Sequence, residues 1–316
     1  MAAPNITEAL THTLRGYSQE IADSVTNNNA FLTWMSKSGS IKLADGGDTI
    51  DEQLQYQENS NGGSYSGFDI LPTSAQEVFS AASYNWKEYA CAFQMSGLEE
   101  AKNSGKYKLF DLWKGRKDNA IATMANLLSE GIASDGTGNG GKDLTGLQAA
   151  IPSDPTTGTY GGINAATWTF WRSQLKDTAS TITTSTITQA MNELWAACVR
   201  GIQHPHLILA GETFFSIYEA TLMAQQRFTT EAKAKYGFQS LAYKTADVVL
   251  DNDHMSAYRA YFINTNGVKW RPHKDWNMVP GEPRMPVNQD AKGTFLLFKG
   301  NLVTSVRRDQ GLLIGD

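Results

Sequence analysis

Between Leu43 and Trp86 the chain carries seven acids (Asp45, Asp48, Asp51, Glu52, Glu58, Asp69 and Glu77) and no lysine or arginine. Strand-like pieces at Ile41–Leu43, Gln53–Gln57 and Ala75–Met95 flank a run of turn formers, Asn59 to Gly67, in which Gly supplies positive φ and Asn and Ser bond their own backbone. This reads as a long hairpin over 41–95 with few large apolar residues near its tip. Such a hairpin cannot bury itself, and two strands alone are marginally stable, so it should project and find a partner. In the return limb Tyr84 and Trp86 alternate, then Tyr89, Cys91, Phe93 and Met95 alternate on the other parity. That phase change predicts a β-bulge.

The sign of charge then reverses. Lys87 to Lys117 holds seven basic and four acidic residues. The spacing predicts a long helix over 106–132 with Phe110, Trp113, Ala120, Ile121, Met124, Leu127, Leu128 and Ile132 as its buried stripe. Two readings of the basic face stand: a solvated surface, or an electrostatic seat for the acidic hairpin of an adjacent copy. The second pairs Asp48, Asp51, Glu52, Glu58 and Tyr65 on the hairpin with Lys106, Lys108, Lys114, Arg116 and Lys117 on the helix. Opposite potentials of this kind fix register more than they add affinity.

The 316 residues make one large domain or two modest ones, long enough to need no disulfide or metal staple. Only 19% of residues are charged and the net charge is −5. A surface with so little self-repulsion suits packing against copies of itself, and the acidic balance gives no basic face for reading nucleic acid. Cys91 and Cys198 form no CxxC, which points to two packed thiols in a reducing compartment. The first ten residues lack the basic and apolar regions of a signal peptide, and no apolar run spans a membrane. Ile6, Leu10, Leu14, Tyr17, Ile21 and Val25 form one helical stripe, either a helix capping its own domain or an arm laid on a neighbour. Further along, Gly161–Ile182 reads as loop and helix, Thr186–Gly201 as a helix, Leu207–Ala210 as a buried strand and Glu212–Gln226 as a helix. Strands are expected within 238–250, 258–264 and 295–307, with a polar loop at 271–293.

Motifs for chemistry are incomplete. Gly136–Asp143 approaches a phosphate-binding loop, but Asp143 stands where a hydroxyl residue should hold Mg²⁺, and the loop follows a helix. His204 and His206 lack further zinc ligands and read as turn histidines. There is no GxSxG, and neither cysteine has a supporting motif. No catalytic, cofactor-binding or metal residue is assigned, no cofactor is expected, and the chain is read as a non-enzyme.

Taken in order, the arm, hairpin and long helix are followed by Ser134–Ile151 (SDGTGNGGKDLTGLQAAI), Tyr160–Ile163, Trp168 and the stretch HPHLILAGETFFSIYEATL. Arg227-Phe228, Gly237-Phe238, Val248–Asp251, Tyr261–Asn264 and Gly300–Val303 complete the series. Over nearly its whole length the chain resembles a tailed-bacteriophage major capsid protein with the Hong Kong phage-type fold, an α+β fold. The resemblance implies an N-terminal arm (1–40), an E-loop hairpin (41–95), a P-domain with the spine helix (96–140 and 251–294) and an A-domain (141–250 and 295–316). It implies pentamers and hexamers of an icosahedral head around double-stranded DNA, enclosed without sequence-specific binding, with no membrane, assembled in the host cytoplasm and located in the virion. Implied partners are copies of itself, a portal, an optional decoration protein and a separate scaffolding protein, since the arm starts almost at Met1. Leu43–Trp86 has no Lys, so no Lys–Asn crosslink from the hairpin is expected. The alternative is the shell of a cargo-loaded nanocompartment with the same fold, distinguished by its contents.

Overall fold

The computed structural model describes residues 30–103, 112–223, 240–251, 255–281, 284–285 and 289–315. The stripe from Ile6 to Val25, Lys106, Lys108, Phe110, Arg227-Phe228 and Gly237-Phe238 lie outside the described residues.

Leu207-Ile208-Leu209-Ala210 (β7) is apolar at every position and buried at every position. A strand with that composition must be covered on both faces, and it sits inside a six-stranded sheet. The order is β6 (Gln174–Asp177), β14 (Gly311–Ile314), β10 (Arg259–Ile263), β7, β9 (Ala246–Leu250) and β8 (Ser240–Tyr243). Pairs β6–β14 and β7–β9 are parallel and the others antiparallel. Because side chains alternate along each strand, Ile208, Ala210, Val248, Phe262 and Leu313 meet Ile187–Cys198 and Glu212–Met223 on one side. Leu207, Leu209, Tyr261, Ile263 and Leu312 face the larger core on the other. Fully buried side chains of this size, such as Phe262 and Phe214, each contribute about 2–3 kcal/mol.

A second, four-stranded sheet is built on the long strand β13 (Ala291–Thr304). Strand β3 (Lys87–Ser96) runs along one edge, from Ser96 opposite Ala291 to Lys87 opposite Gly300. On the other edge β11 (Val268–Pro272) pairs near Thr304 and β12 (Val279–Pro280) pairs at Leu296–Leu297. Helices α1 (Ala30–Lys37), α2 (Gly97–Lys102) and α3 (Leu112–Ala133) belong to this half; α4 and α5 are Ile187–Cys198 and Glu212–Met223. Ser96 caps α2 with a reciprocal capping box: its hydroxyl accepts from the Glu99 N–H at 3.3 Å while the Glu99 carboxylate accepts from the Ser96 N–H at 3.0 Å. Helix α3 buries Leu112, Ala120, Met124, Leu128 and Ile132, whereas Ile121 and Leu127 face outward. The i, i+4 series from 120 sets the inward face, and those two residues fall to either side of it.

Several sequence expectations change. The hairpin itself is β1 (Thr49–Gln55) with β2 (Phe79–Asn85). The parity change near Trp86 marks the point where the chain leaves that ladder and joins β13, so it is a change of sheet rather than a bulge. Residues 41–44 make isolated parallel bridges to Trp270 and His273 beside β11. Residues 159–177 form the small β4–β5 pair (Thr159–Tyr160 and Ile163–Asn164), a 3-10 turn at Thr169–Trp171 and β6, with no helix of the expected kind. Sheet membership also departs from the expected domain limits: β10 stands in the six-stranded sheet, and β13 in the four-stranded one.

Candidate interaction surface

The base of the hairpin is anchored. Ile50, Glu52, Leu54, Ala82 and Tyr84 line its buried face. The Tyr84 hydroxyl donates to the Thr304 carbonyl at 2.7 Å, and its ring meets Tyr160 at 5.2 Å. Burial pushes the Tyr84 phenol well above its usual range. Tyr56 closes the stem against Trp168 and Phe170, with ring centroids 5.8 and 5.7 Å away. Beyond it, 57–77 is almost wholly exposed. The hairpin is therefore split between a base built into its own protomer and a projecting tip.

Turn residues shape that tip through their own hydrogen bonds. Asn61 Nδ2 donates to the Ser74 carbonyl at 2.6 Å, and Ser74 Oγ donates back to Asn61 Oδ1 at 2.9 Å. Ser60 Oγ donates to Gln76 Oε1 at 2.9 Å, and Gln57 Nε2 to the Glu77 carbonyl at 2.7 Å. The Asp69 carboxylate accepts from the Ser66 N–H at 2.8 Å.

The acids named from the sequence separate into two groups. Asp48, Asp51, Glu58 and Tyr65 are exposed. Hydrogen bonds from Ser83 and Thr49 hold the Asp51 carboxyl below its ordinary range, and Glu58 lies 3.6 Å from Arg200 of the same chain. Glu52 does not belong with them. It is 4% exposed and accepts from Lys269 Nζ at 2.7 Å and from Arg271 Nε at 2.6 Å, tying β1 to β11. Strand alternation places it inward between Ile50 and Leu54, so it is an internal ion pair rather than an intersubunit contact. On the basic side, Lys114 is exposed and Lys117 half-buried. Arg116 is committed within the chain: it donates to the Glu99 carboxylate at 2.9 and 3.0 Å. Its guanidinium, followed by the Ser96 N–H, lowers the Glu99 carboxyl to about 2. The electrostatic seat loses one residue on each side.

The tip also carries apolar surface that its charge and turn residues do not reveal. Phe68 is fully exposed, Ile70 is 96% exposed, and Tyr65 and Leu71 are 67% and 52% exposed. The composition itself carried that signal, because Phe68, Ile70 and Leu71 have no periodic partner to bury them.

Elsewhere, a cleft of about 440 Å³ opens beside the hairpin base. The buried Arg307 at its floor donates to the carbonyls of Ala150, Trp171 and Ala149 and lies over the Tyr160 ring. Its lining contains no histidine or cysteine among the described residues. The glycine-rich turn after α3 packs the Asp143 carboxylate against Gly138, and its Gly141 carbonyl accepts from Lys87 Nζ. His204 and His206 stand with rings 4.7 Å apart; burial and then the neighbouring ring lower His206 below its usual value. Among the described residues no three potential ligands gather around a metal position, and no helix is long and apolar enough to cross a membrane. Burial pushes the Cys198 thiol up to about 12, and Cys91 is half-buried.

No protein-family model and no curated protein matches the sequence. Solved structures do. The capsid asymmetric unit of cyanophage A-1(L) aligns with a TM-score of 0.75 at 16% identity, covering 94% of this chain and 95% of that one. The capsid of Myoviridae phage XM1 aligns at 0.59 and 13% identity, covering 99% and 100%. The holo-SrpI encapsulin complex from Synechococcus elongatus PCC 7942 aligns at 0.57 and 9% identity, covering 98% and 95%. The chain has the Hong Kong phage-type shell fold that these structures share.

Proposed function

We propose that this chain is the major capsid protein of a tailed-phage head, a structural subunit rather than an enzyme. The observation that carries the reading is a fold aligned end to end with phage capsid chains, bearing a pre-shaped hairpin tip that its own protomer leaves uncovered. Pentamers and hexamers of the chain close into an icosahedral shell in which each tip lies over a neighbour. Asp48, Asp51, Glu58 and Tyr65 on the hairpin, with Lys106, Lys108, Lys114 and Lys117 on the helix region, are the contacts proposed to set register. A scaffolding protein, a portal, a decoration protein and enclosed double-stranded DNA are the partners that accompany this reading. Assembly in the host cytoplasm and residence in the virion follow from it. A mildly acidic coat encloses DNA without the salt-dependent grip of a basic lumen.

The encapsulin likeness favours one second reading, a nanocompartment shell around a cargo protein. Electron microscopy of the purified chain under assembly conditions tests both. Closed shells tens of nanometres across support a shell protein, and their contents, DNA or a cargo enzyme, separate the two. A compact monomer that never assembles overturns both.

A further inference from the structure

The dipeptide Asn-Gly occurs three times in the chain, at Asn61-Gly62, Asn139-Gly140 and Asn266-Gly267. In such a pair no glycine side chain shields the glycine nitrogen, which can approach the asparagine carboxamide and close a five-membered ring. Two groups must be free for this: the carboxamide and the N–H that follows it. At Asn61 neither is. Its Nδ2 donates to the Ser74 carbonyl at 2.6 Å, its Oδ1 accepts from Ser74 Oγ at 2.9 Å, and the Gly62 N–H donates to the Asn59 carbonyl at 3.3 Å. At Asn266 Nδ2 donates to Gln203 Oε1 at 3.1 Å, and the N–H of the buried Gly267 donates to the Asn264 carbonyl at 3.1 Å.

Asn139 differs on both counts. It stands in the turn after α3, where 137–142 are all exposed, and among the described residues nothing bonds to its carboxamide or to the Gly140 N–H. The contacts that hold the turn, Gly141 N–H to the Thr137 carbonyl at 3.1 Å and Lys87 Nζ to the Gly141 carbonyl, leave both reacting groups free. Asn139 has φ +49 and ψ +39, a left-handed conformation that Asn tolerates. Ring closure requires that ψ to turn, and there is room: a Cβ on Gly140 or Gly141 would meet nothing within 4 Å.

We propose that Asn139 is a self-modification site, at which the folded chain converts one neutral amide to an acid. The Gly140 nitrogen gives its proton to solvent base and bonds to Asn139 Cγ. The Cγ–Nδ2 bond then breaks, and Nδ2 leaves as ammonia with a proton from solvent. Water opens the resulting imide at either carbonyl, giving aspartate or its β-linked isomer, with no change of oxidation state. The product adds one negative charge to a chain of net −5, in a turn that already holds Asp135 and Asp143. The β-linked form also adds a main-chain carbon between Thr137 and Gly141, the two residues whose bond spans the turn. The inference goes beyond the shell reading and stands apart from it, because every group involved lies within one chain.

The test incubates the unassembled full chain in mildly alkaline buffer and follows each Asn-Gly pair by peptide mass mapping. Conversion at Asn139 is expected to run about tenfold or more ahead of Asn61 and Asn266, each of which must first give up its hydrogen bonds. Isoelectric focusing should show one acidic step, absent from Asn139→Gln and from Asn139→Gly. The second variant suits the left-handed turn and covers the case in which the first disturbs it. In the urea-unfolded chain the three rates should converge, which would assign the selectivity to the fold. Asn139 remaining an amide in the folded chain, or Asn61 or Asn266 keeping pace with it, overturns the proposal. A lead for Asn139 that persists in urea overturns the structural account of its selection. Failure to form shells overturns the shell reading and leaves these outcomes unchanged.

Discussion

Glu52 is a carboxylate with almost no contact with water, held by two cations whose side chains are 25% and 22% exposed. Removing one member of a buried pair leaves the others desolvated and uncompensated, and partial exposure of the cations softens that loss. Glu52→Gln is expected to lower unfolding stability by about 2 kcal/mol, read as a shift of the urea midpoint. A change no larger than that of the exposed Glu58→Gln would refute the assignment. Glu99 gives a pH-dependent case. Its folded-state value of about 2 lies below the ordinary 4.5, so its contribution is present above 4.5 and is lost as pH falls toward 2. The stability gap between the unaltered chain and Glu99→Gln should therefore narrow on acidification through this window. A gap independent of pH would remove the Arg116 pairing as its cause.

At the scale of elements, the hairpin base depends on a close approach. Gly161 has φ +58, and a Cβ there would stand 2.9 Å from the Tyr84 ring and 3.0 Å from Ala82 Cβ. Gly161→Ala combines backbone strain with overlap at two core residues, and a destabilisation of about 2–3 kcal/mol is expected from chemical denaturation. Gly162→Ala, with φ +76 and nothing within 4 Å of the added carbon, carries the strain alone and should cost less. Sequence periodicity located β7, α4, α5 and most of α3, because each buries one face or all of itself in a regular repeat. It misjudged the path of 75–96. A continuous alternating run looks the same whether its strand stays in one sheet or moves to another, and only the partner strand β13, some two hundred residues later, settles which. Glu52 was misread for a related reason: charge alone does not tell a solvated acid from one that alternation turns inward toward Lys269 and Arg271.

For the whole molecule, the proposed shell reading assigns the remaining exposed acids to assembly rather than folding. The combined change Asp48→Asn, Asp51→Asn and Glu58→Gln should slow shell formation at low salt while leaving the melting of the unassembled chain in place. Near 1 M salt, where screening acts over about 3 Å, the difference should disappear. Equal assembly rates at low salt would assign docking to shape and apolar contact alone. The overall architecture of the described residues was legible from the order of short motifs, a hairpin, then a long helix, then an alternating α/β region. The apolar tip was signalled only by Phe68, Ile70 and Leu71 lacking a periodic partner, and its exposure is defined by what fails to pack against it.

The chain passes from the six-stranded sheet to the four-stranded one between β10 and β11 and returns between β13 and β14. Strands of both are stitched into one continuous core through Leu209, Tyr261, Leu302 and Leu312. A close-packed core shared by both sheets resists bending between them. If such a body is to stand in both fivefold and sixfold rings, the difference in curvature falls on the stalk past Tyr56, where the exposed Glu58–Arg200 pair, 3.6 Å apart, is a weak restraint on a swing. The finger then acts as a compliant tether between stiff tiles, and shell size becomes a matter of how far it can lean.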